Sequence, residues 1–212
     1  MKCFRFIFLI IPFLFSCNES KTTVKGGIKS IPYNKRILVA VGTIENKTGD
    51  TSHNATLENA TGIFISELDS TECFRLIERQ RIKTILEEQK LGISGIIDPS
   101  KTKEVGKLLG ADAILFASLS EVYRIVDERK AGVAIKKNEK ITVVMDARLV
   151  NVETGEILSS SKVSLVYENE YASIGELKKG NEMDFQTVVK EKIEEAAKKL
   201  AYEIALKYSQ RF

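Results

Sequence analysis

Cys17 is the residue of this chain with the most specific chemistry. The stretch FLIIPFLFSCNES carries an apolar run that ends at Ser16 and hands over to a single thiol. Met1, Lys2 and Arg5 precede the run, which gives a short basic region followed by an apolar core of about ten residues. Such a core is too short to span a bilayer as a helix, which needs about 20 residues. Leu14 at minus three, Ser16 at minus one and Cys17 immediately after resemble the cleavage site of bacterial lipoproteins, with Phe15 at minus two bulkier than usual. The chemistry implied is attachment of lipid to the Cys17 sulfur after removal of residues 1–16, with palmitate among the acyl chains. The plain structural alternative is a buried N-terminal strand with a chance cysteine, but such a strand has no reason to end this way. Asn18 stands where an inner-membrane retention signal would place aspartate, so the expected location is the outer membrane, on its periplasmic face.

The remaining reactive residue types do not assemble into a catalytic or metal-binding pattern. His53 is the only histidine. It lies in a polar loop, where a solvated side chain is the expectation, and one histidine builds no His-rich zinc site. With Cys3 removed and Cys17 carrying lipid, Cys73 has no partner for an intramolecular disulfide. Beside Phe74 it reads as inert packing. Gly106-Lys107 lacks the following Ser or Thr of a phosphate loop, and Lys101 stands where its first glycine would be. Glu87 and Glu88 share their segment with Lys83 and Lys90, the pattern of a solvated charged face. Asp112 and Asp146 lie in or beside strands, but no spacing predicts a converging carboxylate pair. No catalytic residue, metal or cofactor is expected, and an enzyme is the least favoured class. The formal charge of +3 falls to about +1 once Lys2 and Arg5 leave, which provides no concentrated basic face for nucleic acid.

These residues must be positioned by a domain of modest size. Removing the leader leaves about 200 residues, enough for one domain with a real core. Residues 17–35, polar, lysine-rich and containing Gly26-Gly27, read as a lipidated tether, and 36–212 as the folded domain. Ile37 to Ile44 is a nearly continuous apolar run, the mark of a strand buried on both faces. Leu57, Ala60, Phe64 and Leu68 recur at helical spacing. CFRLIER reads as a second strand. A helix follows with Ile82, Ile85, Leu86 and Leu91 on one side, stopped by Gly92. Asp98 and Pro99 suit the start of another helix, which Gly110 closes. ADAILFASLSEVY is a third strand. KITVVMDARLVNV and EILSSSKVSLVY flank the turn Glu153-Thr154-Gly155 as a strand pair, with Ile141, Val143, Met145, Ala147 and Leu149 on one face. The chain closes with a long helix striped by Val189, Ile193, Ala197, Leu200, Ile204 and Tyr208. Oppositely charged pairs Glu194/Lys198, Glu195/Lys199 and Glu203/Lys207 are expected on its wet face. The order βαβααβββα predicts an α/β (α+β) fold, a mixed β-sheet flanked by helices.

Several of these segments together resemble the CsgG/HfaB family, the group of the curli secretion channel lipoprotein. They are RILVAV with ENKTGD after it, FRLIERQRIKTILEEQKL, GADAILFASLSEV and ARLVNVETGEILSSSKVS, in the family's order, over roughly residues 35–166. The most specific positions are Glu78, Arg79 and Gln80 at a helix start, and Thr154, Gly155 and Glu156 in a strand turn. The resemblance implies an α/β periplasmic domain and a role in curli-type assembly, secretion or transport. It also implies partners that are further copies of the chain or other envelope proteins. In the best-known member, ring-forming subunits each give two β-hairpins to an outer-membrane barrel, and aromatic residues after the first strand narrow the channel.

This chain departs from that pattern. Glu45 to Asn54 contains no aromatic residue. The regions corresponding to the membrane hairpins, about 121–140 and 168–184, look short and are rich in charge. A membrane strand needs about 9–11 residues with an apolar outward face. Here Glu121, Asp127 and Arg129 alternate with Arg124, Glu128 and Lys130. A lysine or arginine facing lipid at mid-depth costs about 2–4 kcal/mol. Two readings therefore stand: a secretion channel with shortened hairpins, and an accessory or scaffold lipoprotein whose hairpins project into water.

Overall fold

The computed structural model describes residues 27–78, 82, 84, 102–174, 176–179 and 184–212. Cys17, the leader 1–16, Arg79, Gln80, Asp98, Pro99 and most of the helix expected over Ile82 to Leu91 lie outside the described residues.

The first strand is β1 (Leu38–Asn46). Its sequence LVAVGTIEN offers apolar side chains to both faces, and the sheet uses both. Val39, Val41 and Ile44 enter the larger core, and Ala40 the smaller one. β1 runs parallel to the short β2 (Arg75–Leu76) on one side and to β3 (Ala113–Ala131) on the other. β4 (Ala134–Asn151), β5 (Ile157–Ile174) and β6 (Leu177–Lys179) then follow in antiparallel order. The sheet order is β2-β1-β3-β4-β5-β6, a mixed sheet as predicted, with a short sixth strand added.

α1 (Asn54–Ser70) and α3 (Phe185–Ser209) pack on one face. The predicted stripes are the buried ones: Leu57, Ala60, Phe64 and Leu68 from α1, and Val189, Ile193, Ala197, Leu200, Ile204 and Tyr208 from α3. They meet Ile141, Val143, Met145, Ala147 and Leu149, which alternate along β4 on that face. Thr61 is a polar member of this layer. Its hydroxyl accepts the Ile44 N–H at 3.2 Å and donates to the Leu57 carbonyl at 2.8 Å, so the β1 bulge near Ile44 leaves no orphan donor there. α3 starts where Asp184 accepts the Thr187 N–H at 2.9 Å, an N-cap that satisfies a free helix donor.

α2 (Thr102–Leu109) lies on the opposite face, with Val105 and Leu109 against Ala40, Ile114 and Val152. Its close approach depends on Gly106. A Cβ there would stand 2.4 Å from a Val152 methyl carbon, well inside van der Waals contact.

Several expectations are corrected. The fold begins before residue 36: Ile28 and Ile31, inside the stretch read as tether, are buried in the main core, and the Lys29 N–H reaches the Ser209 hydroxyl. His53, expected to be solvated, is 3% exposed. The 3₁₀ turn Thr51–His53, closed by Asp50 accepting the Ser52 N–H at 2.9 Å, puts the residue under the start of α1. On α3, Glu195 meets Lys192 at 2.7 Å instead of Lys199. Glu203 and Lys207 both turn to β5, because the helix lies along that strand: Glu203 accepts from the Ser161 hydroxyl, and Lys207 donates to the Ser160 carbonyl at 2.8 Å. The strand read as CFRLIER is only Arg75–Leu76. By contrast β3, β4 and β5 each run well past the apolar segments that revealed them.

Candidate functional site

The extra length of β3, β4 and β5 forms a three-stranded blade standing out from the body. Its first hairpin turns at Gly132-Val133, between the paired Ala131 and Ala134. Gly132 has φ +58°, the conformation that a two-residue II′ turn requires at its first position. At about 3.4 Å per residue, the arm beyond Ser120 projects some 35 Å. The bulge at Ser120 resets the alternation between body and blade.

Both faces of the blade carry charge. On the face continuous with α3, Arg124 Nε donates to Glu139 Oε1 at 2.5 Å, and the Arg124 guanidinium stands 5.3 Å from the centre of the Phe185 ring. Glu139 is 4% exposed, so this ion pair and the ring are what make its burial tolerable. The same face carries Glu128 and Lys130, paired at 2.7 Å. On the opposite face Lys140 meets Glu168 at 2.9 Å and Lys136 meets Glu170 at 2.9 Å. Glu168 raises the pKa of Lys140 above the ordinary lysine value, by hydrogen bonding first and by its charge second. Asp127 and Arg129 pair along β3. Exposed apolar residues, Val133, Ile174 and Leu177, gather at the tip, where the β3/β4 and β5/β6 hairpins end together.

The residues singled out from sequence lie mostly in the body. Glu78 is exposed, and its carbonyl accepts the Ile82 N–H at 3.2 Å, which fits a helix start. Thr154, Gly155 and Glu156 form the β4–β5 turn. Asn151 Oδ1 accepts the Glu153 and Thr154 N–H groups, both at 2.9 Å, and Gly155 takes φ +73° while its N–H reaches the Asn151 carbonyl. Glu156 pairs with Arg211 at 3.4 Å, tying the turn to the chain's end. Beside the turn, Phe116, Arg148, Val150, Ile157 and Lys103 line an open groove of about 410 Å³. The Arg148 guanidinium lies 5.5 Å from the centre of the Phe116 ring. Glu78 and the turn residues do not converge on a common cleft.

Asp112 closes the sheet by accepting the Leu38 N–H at 2.7 Å. Asp146 accepts from the Ser118 and Ser120 hydroxyls beside the bulge. Cys73 is fully buried, and burial raises its thiol pKa, which makes it inert packing as expected. The Asp50 carboxyl is held below its ordinary pKa by the Ser52 backbone N–H first and the Ser52 side chain second. Among the described residues, no group of His, Cys, Asp and Glu could hold a metal ion, and no helix is long and apolar enough to cross a membrane.

What sequence reading missed is the Arg124–Glu139 pair and the cross-strand ladder. The charged residues were visible, but which of them face each other is fixed only by the hairpin register.

An α/β body crossed by a mixed sheet, with a β-blade grown from its central strands, is the class of domain that the fold defines. The model of the family described as "Curli production assembly/transport component CsgG" matches residues 22–209, and the chain belongs to that family. No curated protein matches the chain. Among solved structures, a putative neuraminyllactose-binding hemagglutinin homolog from Helicobacter pylori is similar at 14% identity and TM-score 0.51, over 89% of this chain and 97% of that one. The LpoB C-terminal domain from Salmonella enterica is 20% identical at TM-score 0.39, over 61% and 82%. The PelC dodecamer from Paraburkholderia phytofirmans is 12% identical at TM-score 0.40, over 85% and 92%.

Proposed function

We propose that this chain is a lipoprotein held by lipid on Cys17 at the periplasmic face of the outer membrane. There it serves export or envelope assembly as a non-enzymatic scaffold, without building a membrane barrel. Membership of the CsgG family supports the envelope role. The observation that carries the scaffold reading is the charge on both faces of the blade. A strand that crosses a bilayer as part of a barrel needs one apolar face. Here one face presents Lys136, Lys140, Glu168 and Glu170, and the other Arg124, Glu128, Lys130 and Glu139. Cross-strand pairing of these charges suits water, where such pairs are well solvated.

Two measurements test this reading. The lipidated protein reconstituted in planar bilayers should give no stable conductance steps; large, lasting steps would establish a channel and end the scaffold reading. Mass spectrometry of the mature N-terminus should find Cys17 as the first residue, acylated. An unmodified Cys17, or a terminus elsewhere, would overturn the anchor and the localisation with it.

A further inference from the structure

We infer that the end of the body that holds Gly27 rests on an anionic phospholipid surface, through Tyr33, Lys29, Lys35 and Arg75, so that the blade points away from the membrane. The inference rests on the Cys17 anchor proposed above. It adds what an anchor alone does not set, the orientation of the domain.

Gly27 and the blade lie at opposite ends of the domain. A Cβ at Gly27 would touch Leu206 at 3.7 Å, and the Lys29 N–H reaches the Ser209 hydroxyl at 3.4 Å, both at the close of α3. The start of α3 is at the other end, where Phe185 meets Arg124 at the root of the blade. Along β5, Ser160 stands level with Lys207, which reaches its carbonyl. Ile174, fourteen residues further on the same strand, stands at the tip. At about 3.3 Å per residue the tip lies some 45 Å beyond that level. Ten residues separate Cys17 from Gly27, a reach of at most about 35 Å. An anchor on Cys17 thus keeps the Gly27 end close to lipid.

The surface at this end fits an anionic one. Residues 27–36 carry Lys29, Lys35 and Arg36 and no acid, a net +3 where the whole mature chain carries about +1. Lys29 and Lys35 are exposed. Between them Tyr33 is 69% exposed, and the guanidinium groups of Arg36 and Arg75 each stand 5.9 Å from the centre of its ring. Arg75 Nε donates to the Arg36 carbonyl at 3.0 Å, which holds that guanidinium beside the ring. Arg36 itself is engaged by Glu72 at 3.3 Å, so Lys29, Lys35 and Arg75 are the cations placed to meet lipid phosphate. A tyrosine among cations suits the headgroup level of a bilayer. Phe212, 64% exposed and 5.5 Å from the Tyr208 ring, adds a second aromatic at the same end. The blade tip differs. Val133, Ile174 and Leu177 are exposed there, but the cations behind them are matched by carboxylates, Lys130 by Glu128 and Lys136 by Glu170. Attraction to surface charge fades within a Debye length, about 8 Å at physiological salt. The end that the tether keeps near lipid is therefore the end that feels it.

The chain has no tryptophan, so a single introduced one reports its own surroundings. Lipidated Tyr33→Trp is reconstituted in vesicles of phosphatidylethanolamine and phosphatidylglycerol, with bromine-labelled acyl chains as the quencher. Its emission should be blue-shifted and quenched. That of Val133→Trp, in the exposed turn of the blade, should be neither. Adding Lys29→Glu and Lys35→Glu, at exposed positions that leave the core untouched, should cut the Tyr33→Trp quenching about twofold or more. Replacing phosphatidylglycerol by phosphatidylcholine should do the same. Mass spectrometry of the same sample reads acylation of Cys17. Three results with an acylated chain would overturn this inference and leave the anchor standing: Tyr33→Trp unquenched, Val133→Trp quenched as strongly, or quenching indifferent to the charge reversals and to phosphatidylglycerol. An unacylated Cys17 would instead overturn the anchor, and the orientation built on it.

Discussion

The lower and upper halves of β3, β4 and β5 are the same three strands under different solvents. In the body, Leu115, Ala117 and Leu119 on β3 face Leu149, Ala147 and Met145 on β4 under two helices. In the blade, beyond the bulge that resets β3, Arg124 and Glu139 continue that face, and Lys140 and Glu168 stand on the other. Backbone pairing runs on both sides of the bulge at Ser120, so hydrogen bonding does not distinguish the halves. What differs is the source of side-chain stability: burial of apolar surface below, at about 25 cal/mol per Å², and ion pairs above, most of them exposed and each worth little. The body is thus the part that decides whether the chain folds. The blade is the part free to vary its surface.

The comparison breaks most severely in the body. Phe64→Ala removes a fully buried ring from α1 and should lower stability by about 3–5 kcal/mol, read as a shifted denaturant midpoint. Gly106→Ala comes next. The added methyl would overlap Val152, and relief of that overlap should cost about 1–3 kcal/mol, outweighing the better helix propensity of alanine. Gly106→Ala combined with Val152→Ala should recover part of the loss, which a purely helical effect would not.

In the blade the largest effect should come from Arg124→Ala, which leaves the buried Glu139 carboxylate without its partner and should cost about 1–3 kcal/mol. Hydrogen exchange should localise the change to residues 121–141 while leaving α3 protected; uniform loss of protection would show that the blade and body form one cooperative unit. The smallest effect belongs to Glu168→Gln. It should leave the unfolding midpoint unmoved but return the Lys140 pKa to the ordinary lysine value, followed by NMR of the side-chain carbons. Since the folded pKa of Lys140 is raised, the Lys140–Glu168 contribution is complete below the unfolded value. It fades as pH rises through the folded one.

The body was legible because its signals are local. The period of two in Ile141 to Leu149 and the helical stripe Val189 to Tyr208 each declare a face without reference to the rest of the chain. The blade was legible only through the family resemblance, which placed hairpins at about 121–140 and 168–184, because charges on both faces erase the alternation that announces a strand. The apolar pattern alone therefore ends β3 near Tyr123 and starts β4 near Lys140. His53 was misread for a related reason. Its neighbours Thr51, Ser52 and Asn54 are polar, and burial came from the turn that Asp50 caps. On β2 the opposite error occurred: CFRLIER has an apolar look because Cys73, Phe74 and Ile77 fill cores, while only Arg75 and Leu76 pair in the sheet. For the turn, Gly155 was read correctly, as a positive φ is a single-residue property. The groove beside it depends on Phe116 and Lys103, which no sequence spacing connects to it.

The continuity of the three strands from core to tip has a mechanical meaning. A load pulling the tip along the strand axis moves both arms of each hairpin together and passes to the root, where it acts across the bonds that hold β3 to β1, perpendicular to the pull. Such a load shears many bonds together and does not peel them one by one. A sideways load at the tip would bend the three-stranded layer about its root. The blade is therefore built as a strut, stiff along its length and yielding across it, and its root is clamped where Ser118 and Ser120 hold Asp146.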